Sequence, residues 1–138
     1  MGFGYGAGAY QQVRSRGGVE NASPHALITL LMDAALERIV QARGHMQRDE
    51  VAAKGESITH CIDILGGLRD SLDRKVDERL VDRLDALYEY MSRRLVQANM
   101  RNDLRVLDEV SKLLGQVRDS WAKVAPTPAG APQRAVSA

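Results

Sequence analysis

Apolar residues recur at a three-four spacing in four segments between Ser23 and Val124, and this spacing constrains the fold more than any other feature. It places the apolar side chains of each segment on one face of an α-helix. We therefore predict four amphipathic helices, over about 24–46, 51–72 and 77–98, and from 102 or 103 to just before Pro126. No alternating pattern of the kind found in β-strands competes with them.

The helix starts and the short connections define how the helices are joined. Ser23 is a favourable N-cap residue and Pro24 suits the first helical position, while Asn102 or Asp103 can cap the fourth helix. Only a few residues separate consecutive helices, so each helix must run antiparallel to the next. The sequence predicts an all-α fold, an antiparallel up-down-up-down four-helix bundle over residues 23–125.

The two ends of the chain differ from the middle in composition. Residues 1–22 hold six of the 12 glycines and are expected to form a flexible N-terminal arm, in which 9–14 can form a short capping helix. Residues 126–138 hold three of the four prolines among small residues and are expected to be a disordered tail. We therefore divide the chain into an arm, a bundle domain and a tail.

Charge and cysteine content limit the classes of partner and compartment. The 19 Lys and Arg residues nearly balance the 18 Asp and Glu residues, so no field of one sign attracts nucleic acid or an anionic membrane. The single cysteine, Cys61, excludes an intramolecular disulfide and is expected in the core. The start of the chain does not resemble a signal peptide, and no apolar run is long enough to insert into a membrane. A cytoplasmic location is therefore expected.

The sequence carries no recognisable metal or catalytic site. None of His25, His45 and His60 has a second histidine four residues away, which is the spacing that lets two imidazoles share a metal on one helix face. The Glu-x-x-His motif of di-iron bundles is absent from the sequence. No serine has a recognisable base beside it. We expect no enzyme activity, no cofactor and no bound metal.

Several apolar residues fall outside the four predicted core faces. They are Leu36, Val40, Ile64, Tyr90 and Val96. Such residues either widen the core or line grooves in which an amphipathic helix of a partner can bury its apolar face. The pattern therefore indicates a protein that binds another protein.

Six short motifs follow one another in a defined order and spacing. They are Ala9-Tyr10-x-x-Val13, Ala22-Ser23-Pro24-x-x-Leu27-Ile28-x-x-Leu31, Leu68-x-x-Ser71-Leu72-Asp73, Leu84-x-x-Leu87-Tyr88-x-Tyr90-Met91, Leu95-x-x-Ala98-Asn99 and Trp121. This ordered set resembles the flagellin-specific secretion chaperone family, FliS. The resemblance runs from about residue 9 to residue 124.

The resemblance implies a cytosolic chaperone that binds the C-terminal amphipathic segment of monomeric flagellin. It also implies that the chaperone prevents premature polymerisation and assists delivery to the flagellar type III secretion apparatus, with export-gate components as further candidate partners. In that family the N-terminal arm can cover apolar surface of the free chaperone, which would make Tyr10 and Val13 a movable lid.

The apolar surplus and the family motifs together suggest where a partner binds. We expect the partner surface on Tyr10, Val13, Ile64, Leu68, Leu72 and Tyr90. The alternative is a self-associating four-helix regulatory or scaffold module, in which the residues outside the core faces serve a homodimer or another partner. The oligomeric state is left open between a monomer and a weak dimer.

Overall fold

The computed structural model describes residues 23–124, apart from Arg74 and Val76. This part of the chain forms four helices, which are α1 (Pro24–Gln47), α2 (Val51–Asp70), α3 (Glu78–Arg101) and α4 (Leu104–Lys123). No strand occurs within it. The predicted all-α class is confirmed, while α2 ends two residues earlier and α3 three residues later than the periodicity indicated. The predicted arm and tail lie outside the described residues.

Three of the four helices begin at a side chain that accepts a hydrogen bond from the first turn. Ser23 Oγ accepts from the backbone N–H of Ala26 at 3.1 Å, and Asp77 accepts from Leu80 at 3.1 Å. Asp103 accepts from the N–H of Arg105 at 3.0 Å. Each cap pairs a backbone donor that the helix itself leaves unpaired. The caps predicted at Ser23 and near Asp103 are confirmed.

Two tight turns reverse the chain through residues with left-handed backbone. Asp49 has φ 58° between α1 and α2, and Asn102 has φ 52° between α3 and α4. Asp and Asn tolerate this conformation better than other side-chain-bearing residues. The second turn is braced from α2, because the Lys54 ammonium donates to the carbonyl oxygen of Asn99 at 3.1 Å and to Asn102 Oδ1 at 3.0 Å. Both turns make consecutive helices antiparallel neighbours.

The helices are arranged in a ring in which each one packs against two others. α1 packs on α2 and α4, and α3 packs on the same two helices, so α1 and α3 occupy opposite corners, as do α2 and α4. α1 and α3 begin at the same end of the bundle at which α2 and α4 finish. We call this end the base. The core between the helices includes Leu31, Ala35, Ile58, Leu65, Tyr88, Met91, Leu95, Leu107 and Leu114.

Cys61 lies in this core, as expected from the sequence. It is 0% exposed, and its Sγ–H donates to the carbonyl oxygen of Ala35 at 3.5 Å. Burial raises the pKa of the thiol to about 12. The thiol therefore stays protonated and packs as a small apolar group between α1 and α2.

Ion pairs join the outer edges of neighbouring helices. Arg118 and Asp33 connect α4 to α1 at 2.8 Å, and Arg69 and Asp85 connect α2 to α3 at the same distance. Because these side chains are partly exposed, each pair adds little stability. Over residues 23–124, apart from the two omitted positions, no helix is apolar enough over a sufficient length to cross a membrane.

Candidate partner-binding groove

An apolar groove of about 340 Å³ opens at the base, between the start of α3 and the end of α4. Three helices contribute to it, with one residue from α1, two from α3 and four from the end of α4, and Val124 directly after α4 completes it. Its lining residues are Met32, Leu80, Leu84, Gln116, Val117, Ser120, Trp121 and Val124. Apolar side chains form most of this lining, and the only polar ones are uncharged.

The groove exists because the apolar stripes of α3 and α4 continue past the point where other helices cover them. Leu80 and Leu84 are one turn apart on α3, and Leu80 in the first turn is 49% exposed. Val117, Trp121 and Val124 follow the same helical spacing at the end of α4. Side chains of the kind that fill the core are therefore open to solvent at this end.

The floor of the groove is the core itself. Met32 is only 1% exposed, and Leu84, Val117 and Trp121 pack directly against the buried cluster. An apolar side chain entering the groove would extend the existing core, where contact with apolar atoms replaces contact with water. The arrangement suits capture of an apolar side chain.

A contact between the first turn of α1 and the last turn of α4 defines one wall. The rings of His25 and Trp121 are stacked, with centroids 4.9 Å apart and planes 17° from parallel. Trp121 Nε1–H donates to the carbonyl oxygen of His25 at 3.0 Å. His25 Nε2 lies 2.8 Å from the carbonyl oxygen of Trp121, and because a carbonyl can only accept, this nitrogen carries a proton.

Further from the base, the contact between α3 and α4 becomes polar. The Tyr90 hydroxyl donates to the Glu109 carboxylate, which also accepts from Arg94 Nε at 2.9 Å. The Tyr90 and Arg94 hydrogen bonds hold the pKa of Glu109 below its usual range. The hydrogen bond to Glu109 likewise raises the pKa of Tyr90. This polar cluster lies on the partly exposed edge of the contact between α3 and α4, further from the base than the groove.

The predicted partner residues do not line this groove. Tyr10 and Val13 lie outside the described residues. Ile64 and Leu68 are 6% and 1% exposed and belong to the core, while Leu72 is half-buried against it. A partner would reach Ile64 or Leu68 only after a helix moved, so their role in binding stays a prediction.

The remaining apolar residues outside the predicted faces divide between core and surface. Tyr90 is half-buried on the seam between α3 and α4, and Leu36 packs against the core. Val40 and Val96 are 66% and 47% exposed, on α1 and α3. Thus Leu36, like Ile64, widens the core. Of the five apolar residues outside the predicted core faces, only Val40 and Val96 are largely exposed.

Sequence reasoning missed the residues that line the groove because their spacing marks them as core. The three-four apolar spacing predicts these residues to be on the core faces of the third and fourth helices, and they are Leu80, Leu84, Val117, Trp121 and Val124. The one local signal is position, because Leu80 lies in the first turn of α3, where few neighbouring turns can cover it. Periodicity identifies the face but not how far along the helix that face is covered.

Comparison with known proteins identifies the family of the chain. Residues 6–128 match the family described as Flagellar protein FliS. The chain belongs to the FliS family. The flagellar secretion chaperone FliSB of Pseudomonas aeruginosa is 51% identical over 112 residues, which cover 81% of this chain and 89% of that protein.

Other FliS proteins match over a similar share of the chain. Flagellar secretion chaperone FliS of Salmonella typhimurium is 40% identical over 122 residues, covering 88% of this chain and 90% of that protein. The Bacillus subtilis protein of the same name is 34% identical over 113 residues, covering 82% and 80%. FliS is a family of flagellar secretion chaperones, so this chain works by binding a client protein and is not an enzyme. Within the described residues, no cluster of side chains is suited to hold a metal.

Proposed function

We propose that this FliS protein is a cytosolic export chaperone that binds the C-terminal amphipathic segment of monomeric flagellin. Held in this way, flagellin would neither polymerise early nor aggregate, and the complex would deliver it to the flagellar type III secretion apparatus. The observation that carries the proposal is the apolar groove at the base, whose walls are Leu80 and Leu84 on one side and Val117, Trp121 and Val124 on the other.

The geometry of the groove supports an amphipathic helix as its occupant. An amphipathic helix presents apolar side chains at positions i, i+3 or i+4, and i+7. Val117, Trp121 and Val124 follow the same spacing along the α4 wall, so a helix lying beside α4 can match them turn by turn. Burying its apolar face removes from water the surface through which such a segment would self-associate.

The surroundings of the groove suggest how the predicted partner residues contribute. Leu72 follows α2 at the same end of the bundle, and Tyr90 lies on the same seam between α3 and α4. The arm, residues 1–22, joins the bundle at Ser23, two residues before His25, which stacks on the groove wall. We propose that Tyr10 and Val13 of this arm act as a lid over the base, which the client displaces.

A calorimetric titration with a peptide covering the C-terminal segment of flagellin from the same organism tests the proposal. We expect binding near one to one, with the negative heat-capacity change that apolar burial produces. Leu80→Asp should weaken binding by about tenfold or more, since it places a charge in the apolar site. Val96→Asp is the matched control, because Val96 lies on the same helix, outside the groove, and is 47% exposed against 49% for Leu80.

Three results would contradict the proposal. The first is an absence of heat at several temperatures together with failure of the chain to co-elute with monomeric flagellin. The second is equal binding by Leu80→Asp and the wild-type chain. The third is a stable dimer of the free chain in light scattering, which would favour the self-associating alternative. Val40 and Val96 lie on α1 and α3 at opposite corners of the bundle, which argues against one dimer face built from both.

A further inference from the structure

We propose that His25 is a positioning residue for the groove, which holds the Trp121 indole as a preformed wall and thereby sets client affinity without touching the client. This inference rests on the proposed function, because it assigns the groove a client. It concerns a pair of residues 96 positions apart in the sequence, which the sequence alone gave no reason to connect.

Three separate contacts join Trp121 to His25, and two of them act on the indole itself. Trp121 Nε1–H donates to the His25 carbonyl at 3.0 Å, and His25 Nε2–H donates to the Trp121 carbonyl at 2.8 Å. The stacked rings, 4.9 Å apart between centroids, are the second contact on the indole, whereas the bond from His25 Nε2–H fixes the imidazole against the backbone of α4. A tryptophan side chain has two main torsions, and this combination of one hydrogen bond and stacking restrains both.

The two residues take different positions relative to the groove. Trp121 lines it, whereas His25 is not among the lining residues and lies behind the indole at the start of α1. Of the groove side chains, Trp121 is the largest and the only aromatic one. Its orientation therefore decides much of the shape that the client meets.

Preorganisation explains why this contact would affect binding. An indole free to change rotamer would sample orientations that either narrow the groove or leave its wall incomplete. The client would then have to select and immobilise one of them, which lowers affinity. With His25 in place, that ordering is already present in the free chaperone.

Three variants of the full-length chain separate positioning from stability. His25→Ala removes both the stacking and the imidazole donor. His25→Gln keeps an amide N–H near the position of Nε2 and removes the ring. Ser23→Ala is the matched control, because it removes the cap bond to Ala26 and loosens the same first turn of α1 while leaving both rings in place.

The measurements are flagellin-peptide affinity by calorimetry and the environment of the indole without peptide. Since the chain contains one tryptophan beside four tyrosines, acrylamide quenching of indole fluorescence and the long-wavelength edge of the near-ultraviolet circular dichroism, where tyrosine does not absorb, report on Trp121. We expect His25→Ala to lower affinity by about three- to tenfold, as expected for a side chain that must be immobilised on binding. It should also weaken the dichroism and increase quenching. His25→Gln should fall between His25→Ala and wild type, and Ser23→Ala should bind like wild type.

The outcomes distinguish this inference from the proposed function. If wild type binds the peptide and His25→Ala binds it equally well, or with an unchanged indole signal, the positioning role is wrong and the chaperone function stands. If Ser23→Ala loses as much affinity as His25→Ala, the contact acts only through the stability of α1, and the inference is again overturned. If wild type itself fails to bind, the proposed function falls, and the inference falls with it.

Discussion

The bundle consists of two helical hairpins, α1–α2 and α3–α4, which differ in how completely their residues are buried. In the first hairpin, seven residues of α1 and eight of α2 are buried, whereas α3 and α4 contribute five and four. The first hairpin therefore supplies most of the core, while the second keeps part of its apolar stripe open at the base. The difference teaches that one bundle can separate the part that supplies most of the core from the part that keeps an apolar groove open, which we propose as the client site.

Side-chain size accounts for part of this difference. Ala35 and Ala42 on α1 and Gly67 on α2 are buried, and such small residues let helices approach closely. At the base, α3 and α4 instead carry larger side chains such as Leu80, Leu84 and Trp121, which stand between the helices and reach the groove. The open seam is thus a consequence of which residues form the stripes.

The largest expected effect is on the free energy of unfolding, and it appears when one leucine of each hairpin is truncated and the two variants are compared. Leu65→Ala, in a position 0% exposed on α2, should lower the free energy of unfolding by about 2–5 kcal/mol, because it leaves a cavity in the core. Leu84→Ala, at the half-buried groove, should cost clearly less stability yet weaken peptide binding. Urea denaturation and calorimetry measure the two properties. Equal destabilisation by both variants would contradict the division of roles.

An intermediate effect is expected from the brace between the hairpins. Lys54 of α2 is 5% exposed and donates to Asn99 and Asn102 at the end of α3. Lys54→Met should lower the free energy of unfolding by about 1–3 kcal/mol, because it removes the donor from two acceptors at a left-handed turn. Lys112→Met, at an exposed position of α4, is the control and should be close to neutral. Denaturation monitored by circular dichroism measures the free energy of unfolding of both variants. If Lys54→Met were as stable as Lys112→Met and wild type, the role of Lys54 would be refuted.

The smallest effect is expected at the polar part of the second hairpin, and it depends on pH. The hydrogen bond from Tyr90, followed by that from Arg94, holds the pKa of Glu109 below its usual value of 4.5. The ionised carboxylate is therefore favoured in the folded chain, and its contribution is present above pH 4.5 and is lost as the pH falls through the lowered folded value. This contribution to the free energy of unfolding is small because the Glu109 carboxylate is partly exposed to solvent.

Comparison with Glu109→Gln isolates this contribution. Wild type should be more stable than the variant near neutral pH, and the difference should shrink as the pH falls from about 5 to about 3. Thermal melts across this range measure it. A difference that stays constant, or that grows on acidification, would mean that the carboxylate does not stabilise the seam between α3 and α4.

Most of the fold could be predicted from the sequence because its signals are local. The spacing of apolar residues identifies four helices, and position before those stretches predicts a cap at Ser23 and one at Asn102 or Asp103, of which the structure selects Asp103. Short connections then required antiparallel neighbours. The helix ends moved by two or three residues, because the final turn of a helix depends on contacts such as the brace from Lys54 at the end of α3.

The groove could not be predicted in the same way. Its residues carry the same periodicity as the core, so spacing alone assigned Leu80 and Trp121 to the interior. The reverse occurred at Ile64, which lies outside the predicted stripe and is 6% exposed in the bundle. Burial depends on the neighbouring helix at each level of the bundle, and a single helical wheel does not contain that information.

For this protein the sequence by itself determined the number of helices, their start signals, their antiparallel connection and the resemblance to the FliS chaperones. These properties depend on residues within a few turns of one another or on motif order along the chain. The tertiary structure alone decided that the base stays open, that Lys54 braces the second turn and that His25 stacks on Trp121. These features join residues from different helices, up to 96 positions apart, and arise only when packing brings those helices together.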